Sequence, residues 1–171
     1  MATLPAGPPT APIQDRRVLR SCLGRFATGV AIVTFDGPDG RRGITVNSFT
    51  SVSVEPPLVL VSVARSARAH DALRGRAFCV NVLAAEQEAL ARQFAGCGGD
   101  VVWLEGPSAP RLAGVLAYLE CRPWREYDGG DHTLFVGEVI DLGYRDGDAL
   151  AFHTSRFTSI AERQLGIEDL I

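Results

Sequence analysis

Between Gly43 and Ser62 the chain concentrates short, uncharged hydrogen-bonding side chains: Thr45, Asn47, Ser48, Thr50, Ser51 and Ser53. Strand-like apolar runs flank them, and Pro56-Pro57 punctuates the segment. Hydroxyls and amides at this density can donate and accept along an oxygen-rich ligand with a flat polar ring, without adding a charge of their own. They suit that task better than acid–base chemistry on a charged substrate. The same row also describes the solvent face of an ordinary edge strand, where Thr pairs well across strands. Composition alone leaves the two descriptions level.

Of three histidines, His132 stands out because it follows Asp128-Gly-Gly-Asp131, a hairpin-tip sequence, and so begins a strand. A surface histidine without a role is the plainer description of it. His70 follows Arg65-Ser-Ala-Arg68, and His153 has no pattern around it. The chain has no P-loop, no GxGxxG after a strand, no nucleophile elbow and no HExxH. Gly96-Cys-Gly-Gly99 is glycine-rich but lacks the strand-to-helix setting of a phosphate cradle. Cys22, Cys79, Cys97 and Cys121 are widely spaced, with no CxxC pair, so no metal site is expected and all four should stay reduced.

These groups need elements to hold them. Val18, Leu19, Cys22, Leu23 and Phe26 recur at helical spacing, which predicts a helix over Asp15–Phe26 that Thr28-Gly29 breaks. Val30–Phe35 and Arg42–Asn47 flank the turn Asp36-Gly-Pro-Asp-Gly40 and read as a hairpin. Val52–Val54 and Leu58–Val63 extend the sheet, with Pro56-Pro57 outside any central ladder. A short helix is expected over His70–Leu73, a buried strand over Ala77–Leu83 and a helix over Glu86–Phe94. Residues 95–113 read as a loop with a short strand at Val101–Leu104. Gly114–Tyr127 and His132–Tyr144 form a second hairpin, Leu150–Phe152 a last strand, and Ser159–Leu165 a closing helix. This strand-rich order predicts a mainly β chain, an antiparallel barrel with peripheral helices.

Composition narrows the classes. Apolar residues make up 46% and charged residues 22%, the balance of a globular protein with one sizeable core. A net charge of −3 argues against nucleic-acid or anionic-membrane surfaces, which need a basic excess. All 17 basic residues are arginine. Residues 1–14, rich in Pro, Ala and Thr, read as a disordered tail before a single domain over 15–171. No apolar run approaches the ~18 residues of a membrane span, so a cytoplasmic protein is expected.

Three motifs in fixed order, Phe26-Ala-Thr-Gly-Val30, the Gly43–Ser62 segment and Gly130-Asp-His-Thr133, resemble the flavin reductase-like family. These are FMN-binding split-barrel proteins that serve as reductase components of two-component flavin monooxygenases. The resemblance covers residues 15 to 160 and implies an antiparallel split barrel of the FMN-binding type. It implies flavin contacts at Thr28, Gly29, Val30, Thr45, Val46, Asn47, Ser48, Thr50, Ser51, Ser62, Cys79 and Val80, with Thr50 and Ser51 at the phosphate and Arg65 or Arg68 adding charge. It implies nicotinamide contacts at Gly130, Asp131, His132 and Thr133. Where the family usually carries Gly, a basic residue and Tyr, this chain has Ser155-Arg156-Phe157, which removes a tyrosine hydroxyl.

The implied activity is an NAD(P)H:flavin oxidoreductase of the EC 1.5.1 type. It would use NADH or NADPH to reduce FMN or FAD, and would pass reduced flavin by diffusion to a partner monooxygenase. No catalytic residue is strictly required, because hydride transfer depends on holding two rings together. The resemblance also implies a homodimer. The alternative is a flavin- or haem-binding split-barrel carrier or sensor without turnover.

Overall fold

Ala31 to Phe35 are buried one after another, so both faces of their strand must be covered. The computed structural model, which describes residues 15–97 and 99–161, supplies a layer for each face. The first layer is a seven-stranded antiparallel sheet in the order β3-β2-β6-β9-β10-β5-β4. Its strands are β2 (Ala31–Gly37), β3 (Gly40–Val46), β4 (Thr50–Ser53), β5 (Leu58–Ala64), β6 (Phe78–Val82), β9 (Ala117–Gly129) and β10 (His132–Tyr144). It curls around a core of Val33, Phe35, Val61, Val63, Phe78, Val80 and Phe135.

The second layer covers the outer face of β2. It holds the sheet β1-β11-β12, formed by β1 (Thr28–Gly29), β11 (Ala149–His153) and β12 (Arg156–Ile160), together with helix α3 (Glu88–Arg92). Val30, Ile32, Leu83, Ala91, Leu112 and Leu150 pack between the layers. A two-stranded ribbon, β7 (Trp103–Leu104) with β8 (Arg111–Leu112), lies at the side.

An open sheet leaves two edges, here β3 and β4. Ser48, just past β3, ties that end of the sheet to β5, the strand next to β4. Its hydroxyl donates to the Ser62 carbonyl at 2.8 Å and accepts from the Ser62 N–H at 3.0 Å. One side chain thus stands in for a missing rung between the two ends of the sheet, with β5 reached where β4 no longer covers it.

Buried polar groups fix the long connection before β9. Asn81, fully buried, donates to the Ile32 carbonyl and the Thr34 hydroxyl at 3.0 and 2.9 Å, and accepts from the Leu112 N–H at 2.9 Å. Thr34 bonds the Pro110 carbonyl in turn. Glu120, also fully buried, takes the Ser108 N–H at 2.9 Å and the Arg111 guanidinium, which lies 3.9 Å from the centre of the Tyr118 ring. Buried groups with partners stabilise; the same groups without them would cost more than they return.

Several expectations need correction. Thr28-Gly29 does not simply break the chain but pairs with Phe152 and Ala151 as a strand. The strand expected at Val52–Val54 starts two residues earlier and ends one earlier, as β4, so Val54 is outside it. Ser159 and Ile160 belong to β12 and pair with Leu150 and Ala149, so the closing helix does not start there; residues 162–165 lie outside the described residues. The tail expected over 1–14 lies outside them as well. Helix α1 (Arg16–Leu23) does form, capped by Asp15, which accepts from the Arg17 and Val18 amides, but it buries none of its residues within the chain.

Ser48→Ala removes a hydroxyl and leaves the Ser62 amide and carbonyl without it. The expected loss of unfolding free energy is about 1–3 kcal/mol, read from urea denaturation with an unchanged slope.

Candidate functional site

The outer edge of β3 runs along a groove made of neighbouring depressions that share Thr45 or Asn47. One, of about 220 Å³, is lined by Ile44 to Ser48, by Ser62 to Ala64 on β5, and by His132. A second, of about 200 Å³, lies between Val30, Val46, Asn47, Phe152 and Phe157. A third, of about 240 Å³, runs from Phe26 to Ala31 with Asn47, Phe49 and Val82. β3 pairs with β2 on one side only, so its other edge offers backbone N–H and C=O groups along this groove.

The structure brings Thr28, Gly29, Val30, Thr45, Val46, Asn47, Ser48, Ser62 and His132 to the groove. It also shows that some of their side chains already have work. The Thr45 hydroxyl donates to the Ala91 carbonyl at 2.7 Å, tying α3 to β3, and Ser48 holds Ser62. What this segment presents to a ligand is therefore largely its backbone and Asn47. The Thr28 hydroxyl oxygen is the opposite case: it is enclosed, with no partner among the described residues.

Other expected residues lie elsewhere. Thr50 and Ser51 are exposed on β4 and line none of these depressions. Cys79 and Val80 sit fully buried in β6, their backbones paired to β2 and β9. Burial, with Glu120 nearby, pushes both the Cys79 and the Cys121 thiols up to about 12, so these are neutral core groups. Arg65 bonds Asp128 at 2.6 Å and the Gly130 carbonyl at 3.0 Å, and its amide donates to the Asp131 carbonyl at 2.9 Å. It thereby anchors the β9–β10 tip instead of facing a phosphate.

That tip carries His132. Gly130 has φ +74°, which suits glycine at the first position of a two-residue hairpin turn. Its amide donates to Asp128 at 3.0 Å. Asp131, fully exposed, bonds His132 Nδ1 at 2.7 Å, and this bond holds its carboxyl below the usual carboxylate range. His132 is half-exposed, with the rest of its ring toward the groove lining.

Thr133 points the other way, into the protein. Its hydroxyl meets His70 Nε2 at 2.8 Å, and His70 Nδ1 meets Asp71 at 2.8 Å. His70 opens the short helix α2 (His70–Leu73), is only 4% exposed, and packs edge-on against Phe135. This relay lies under the strand that presents His132. Reading the sequence missed it because residues 70 and 133 meet only through the fold. It also missed Phe94 and Phe152, for which helical and strand spacing signals only burial, and it took Phe157 only as the loss of a tyrosine hydroxyl and not as an apolar wall. Gly43 has to be small: a Cβ there would come within 2.4 Å of the Phe94 ring, which lies against the backbone of β3.

A family model described as a flavin reductase like domain matches residues 23–161. This chain belongs to that family. Among flavin reductase-like relatives, the FMN reductase (NADH) SmoA of Agrobacterium fabrum is 43% identical over 149 residues, covering 84% of this chain and 86% of its own. The reductase component of a 4-nitrophenol 4-monooxygenase/4-nitrocatechol 2-monooxygenase from Rhodococcus opacus is 37% identical over 148 residues, covering 84% and 80%. The Streptomyces globisporus NADH:FAD oxidoreductase SgcE6, solved in complex with NAD and FAD fragments, superposes with a TM-score of 0.85 at 42% identity, covering 92% of this chain and 99% of that one. The fold is the split barrel of these flavin reductases, as its order of motifs implied.

Thr133→Val keeps the shape of the side chain and leaves buried His70 Nε2 without its partner. A stability loss of about 1–3 kcal/mol is expected in thermal or urea unfolding, larger than for Thr133→Ser, which retains the hydroxyl.

Proposed function

We propose that this chain is an NADH-dependent flavin reductase, an oxidoreductase of the EC 1.5.1 type, which supplies reduced FMN or FAD to a separate flavin monooxygenase. One observation carries the reading: a neutral groove beside an unpaired strand edge, with an imidazole at one end and an apolar wall of Val30, Phe152 and Phe157 at the other. A flavin fits that donor set. Its ring edge needs hydrogen-bond donors, which the free edge of β3 and the unpartnered Thr28 hydroxyl supply, and its face needs apolar contact.

When bound, the flavin supplies a ring nitrogen, N5, that takes a hydride from C4 of the nicotinamide. The chain's own residues position. Thr28 to Val30 and Val46 to Asn47 would hold one ring, and His132, on the tip shaped by Gly130 and Asp131 with Thr133 anchoring the strand behind it, would orient the second. Holding two rings at about 3–3.5 Å is a large part of such a reaction, and it asks for no nucleophile or general acid. Backbone amides on the unpaired edge of β3 would be available as donors to the ring edge where negative charge gathers on reduction. A cytoplasmic setting fits four cysteines that are all unpaired. Among the described residues no helix is long and apolar enough to cross a membrane.

We also propose a homodimer. Val18, Leu19 and Leu23 on α1 are 37%, 43% and 64% exposed, Phe26 beside them is 78% exposed, and a helix with an apolar stripe normally buries it. A second copy of this chain is the partner that would cover it, as fully burying one such side chain is worth about 1.5–3 kcal/mol.

NADH should bleach added FMN or FAD anaerobically in the presence of the purified chain; an unchanged flavin spectrum refutes the reductase and leaves only a binder. His132→Ala should raise the KM for NADH roughly fivefold or more, as expected for one lost hydrogen bond of about 1 kcal/mol, and raise that for flavin less. Leu19→Asp with Leu23→Asp should convert a dimer to monomer in light scattering at micromolar concentration. A monomeric unmodified chain contradicts the homodimer.

A further inference from the structure

His70 is a buried titratable group that hydride transfer, as described above, leaves without a task. Both of its ring nitrogens are engaged: Nδ1 meets Asp71 Oδ1 and Nε2 meets the Thr133 hydroxyl, each at 2.8 Å. A carboxylate only accepts, so in the neutral ring Nδ1 carries the proton and Nε2 is left as an acceptor. The Thr133 hydroxyl is therefore the donor on that side. Phe135, the next inward residue of β10, meets the imidazole edge-on with ring centres 5.7 Å apart. α2 is thus fastened to the inner face of β10 at two successive inward positions.

His132 precedes Thr133, and neighbouring side chains of a strand point to opposite faces. Thr133 pairs with buried Val63 and points inward; His132 pairs with Ala64 and lines the groove. A rotation of this strand about its own axis that carries Thr133 away from His70 also swings His132 across the groove lining. The ladder bonds to β5 and β9 run in the plane of the sheet and tolerate a range of twist. Arg65 holds the main chain of the tip, through the Gly130 and Asp131 carbonyls. The Thr133 side chain stands off the sheet, so its bond to His70 restrains the rotation that the in-plane bonds leave open.

From this arrangement we infer that His70, oriented by Asp71, is a positioning residue for the nicotinamide end of the groove. Through Thr133 it sets the rotation of β10, and hence the direction in which His132 meets the hydride donor. The inference deepens the proposed reductase function and rests on it. Its consequence is selective. The far end of the groove, around Thr28 and Asn47, is built on β1 and the end of β3, and none of these three bonded residues lines it.

The test separates aim from stability. His70→Leu should raise the KM for NADH roughly threefold or more and leave the KM for flavin as it is, because a small misplacement is felt strongly when two rings must be held together. A merely structural histidine would give fewer folded molecules, which lowers the apparent kcat and moves neither KM. His70→Gln, whose amide oxygen can accept from the Thr133 hydroxyl, should recover most of the NADH KM. Pairing His70→Leu with Thr133→Val leaves neither buried group facing an absent partner, so stability in urea should exceed that of either single variant. The NADH KM of the double variant should nevertheless stay raised. Asp71→Ala changes an exposed side chain and leaves the fold intact. In the unliganded chain with isotope-labelled histidine, it should release the His70 tautomer and move the ring resonances of His132 in a magnetic resonance spectrum. The inference is overturned if the His132 resonances stay in place, if the two KM values rise together, or if the NADH KM of the double variant recovers along with its stability. An unmodified chain that oxidises NADH with no flavin strikes the reductase reading instead, and the resonances of the unliganded chain still decide whether His70 aims His132.

Discussion

The unpaired edge of β3 is the constraint on which the site depends. A seven-stranded sheet that curls on itself could finish by pairing its first strand with its last, and backbone hydrogen bonding favours that closure. Here the end of β3 is tied back to β5 by Ser48 on Ser62, and a depression lined by both strands lies beside that link. That depression is part of the groove. Had the ladder continued, Thr45 to Asn47 would have faced another strand, and no backbone donors would have been left for a ligand. The serine keeps the barrel shut and the edge free with a single side chain.

The second layer makes that opening tolerable. Ile32 on the back of β2, with Val30 just before that strand, packs against Leu83, Ala91 and Leu150, while α3 is tied to β3 through the Thr45 hydroxyl. An edge strand gripped from behind does not need a partner in front to keep its register. Phe94 presses on β3 at Gly43, where any side chain beyond hydrogen would collide with its ring. Buried Asn81 and Glu120 do the equivalent for residues 108–112, converting a Gly- and Pro-rich connection into a fixed wall.

How much of this was legible in the residues depends on range. The two hairpins could be read because Asp-Gly turn sequences lie between strand-like runs, and their signal is local. β2 reads as a continuous apolar run because it is covered on both faces. β1 could not be read, since two residues carry no periodicity, and it exists only because β11 comes alongside. β12 is mostly exposed and lacks an apolar alternation, so the helical spacing after Ser159 outweighed it. Within the neutral segment Thr45–Ser51, the stretch Thr45–Ser48 lies along the groove. The sequence did not reveal that Thr45 and Ser48 turn their hydroxyls to the protein, or that Thr50 and Ser51 lie exposed outside the groove lining. Those outcomes depend on Ala91 and Ser62, and distance in the chain hides them.

The β9–β10 tip has one more implication. Arg65 holds it through its main chain and its guanidinium at once, and Asp128 ties down Gly130 from inside the turn. The conformational entropy of this turn is surrendered when the polypeptide folds, not when a guest arrives. The imidazole at its end is therefore preorganised, and selectivity among visitors falls to how well each matches a fixed template.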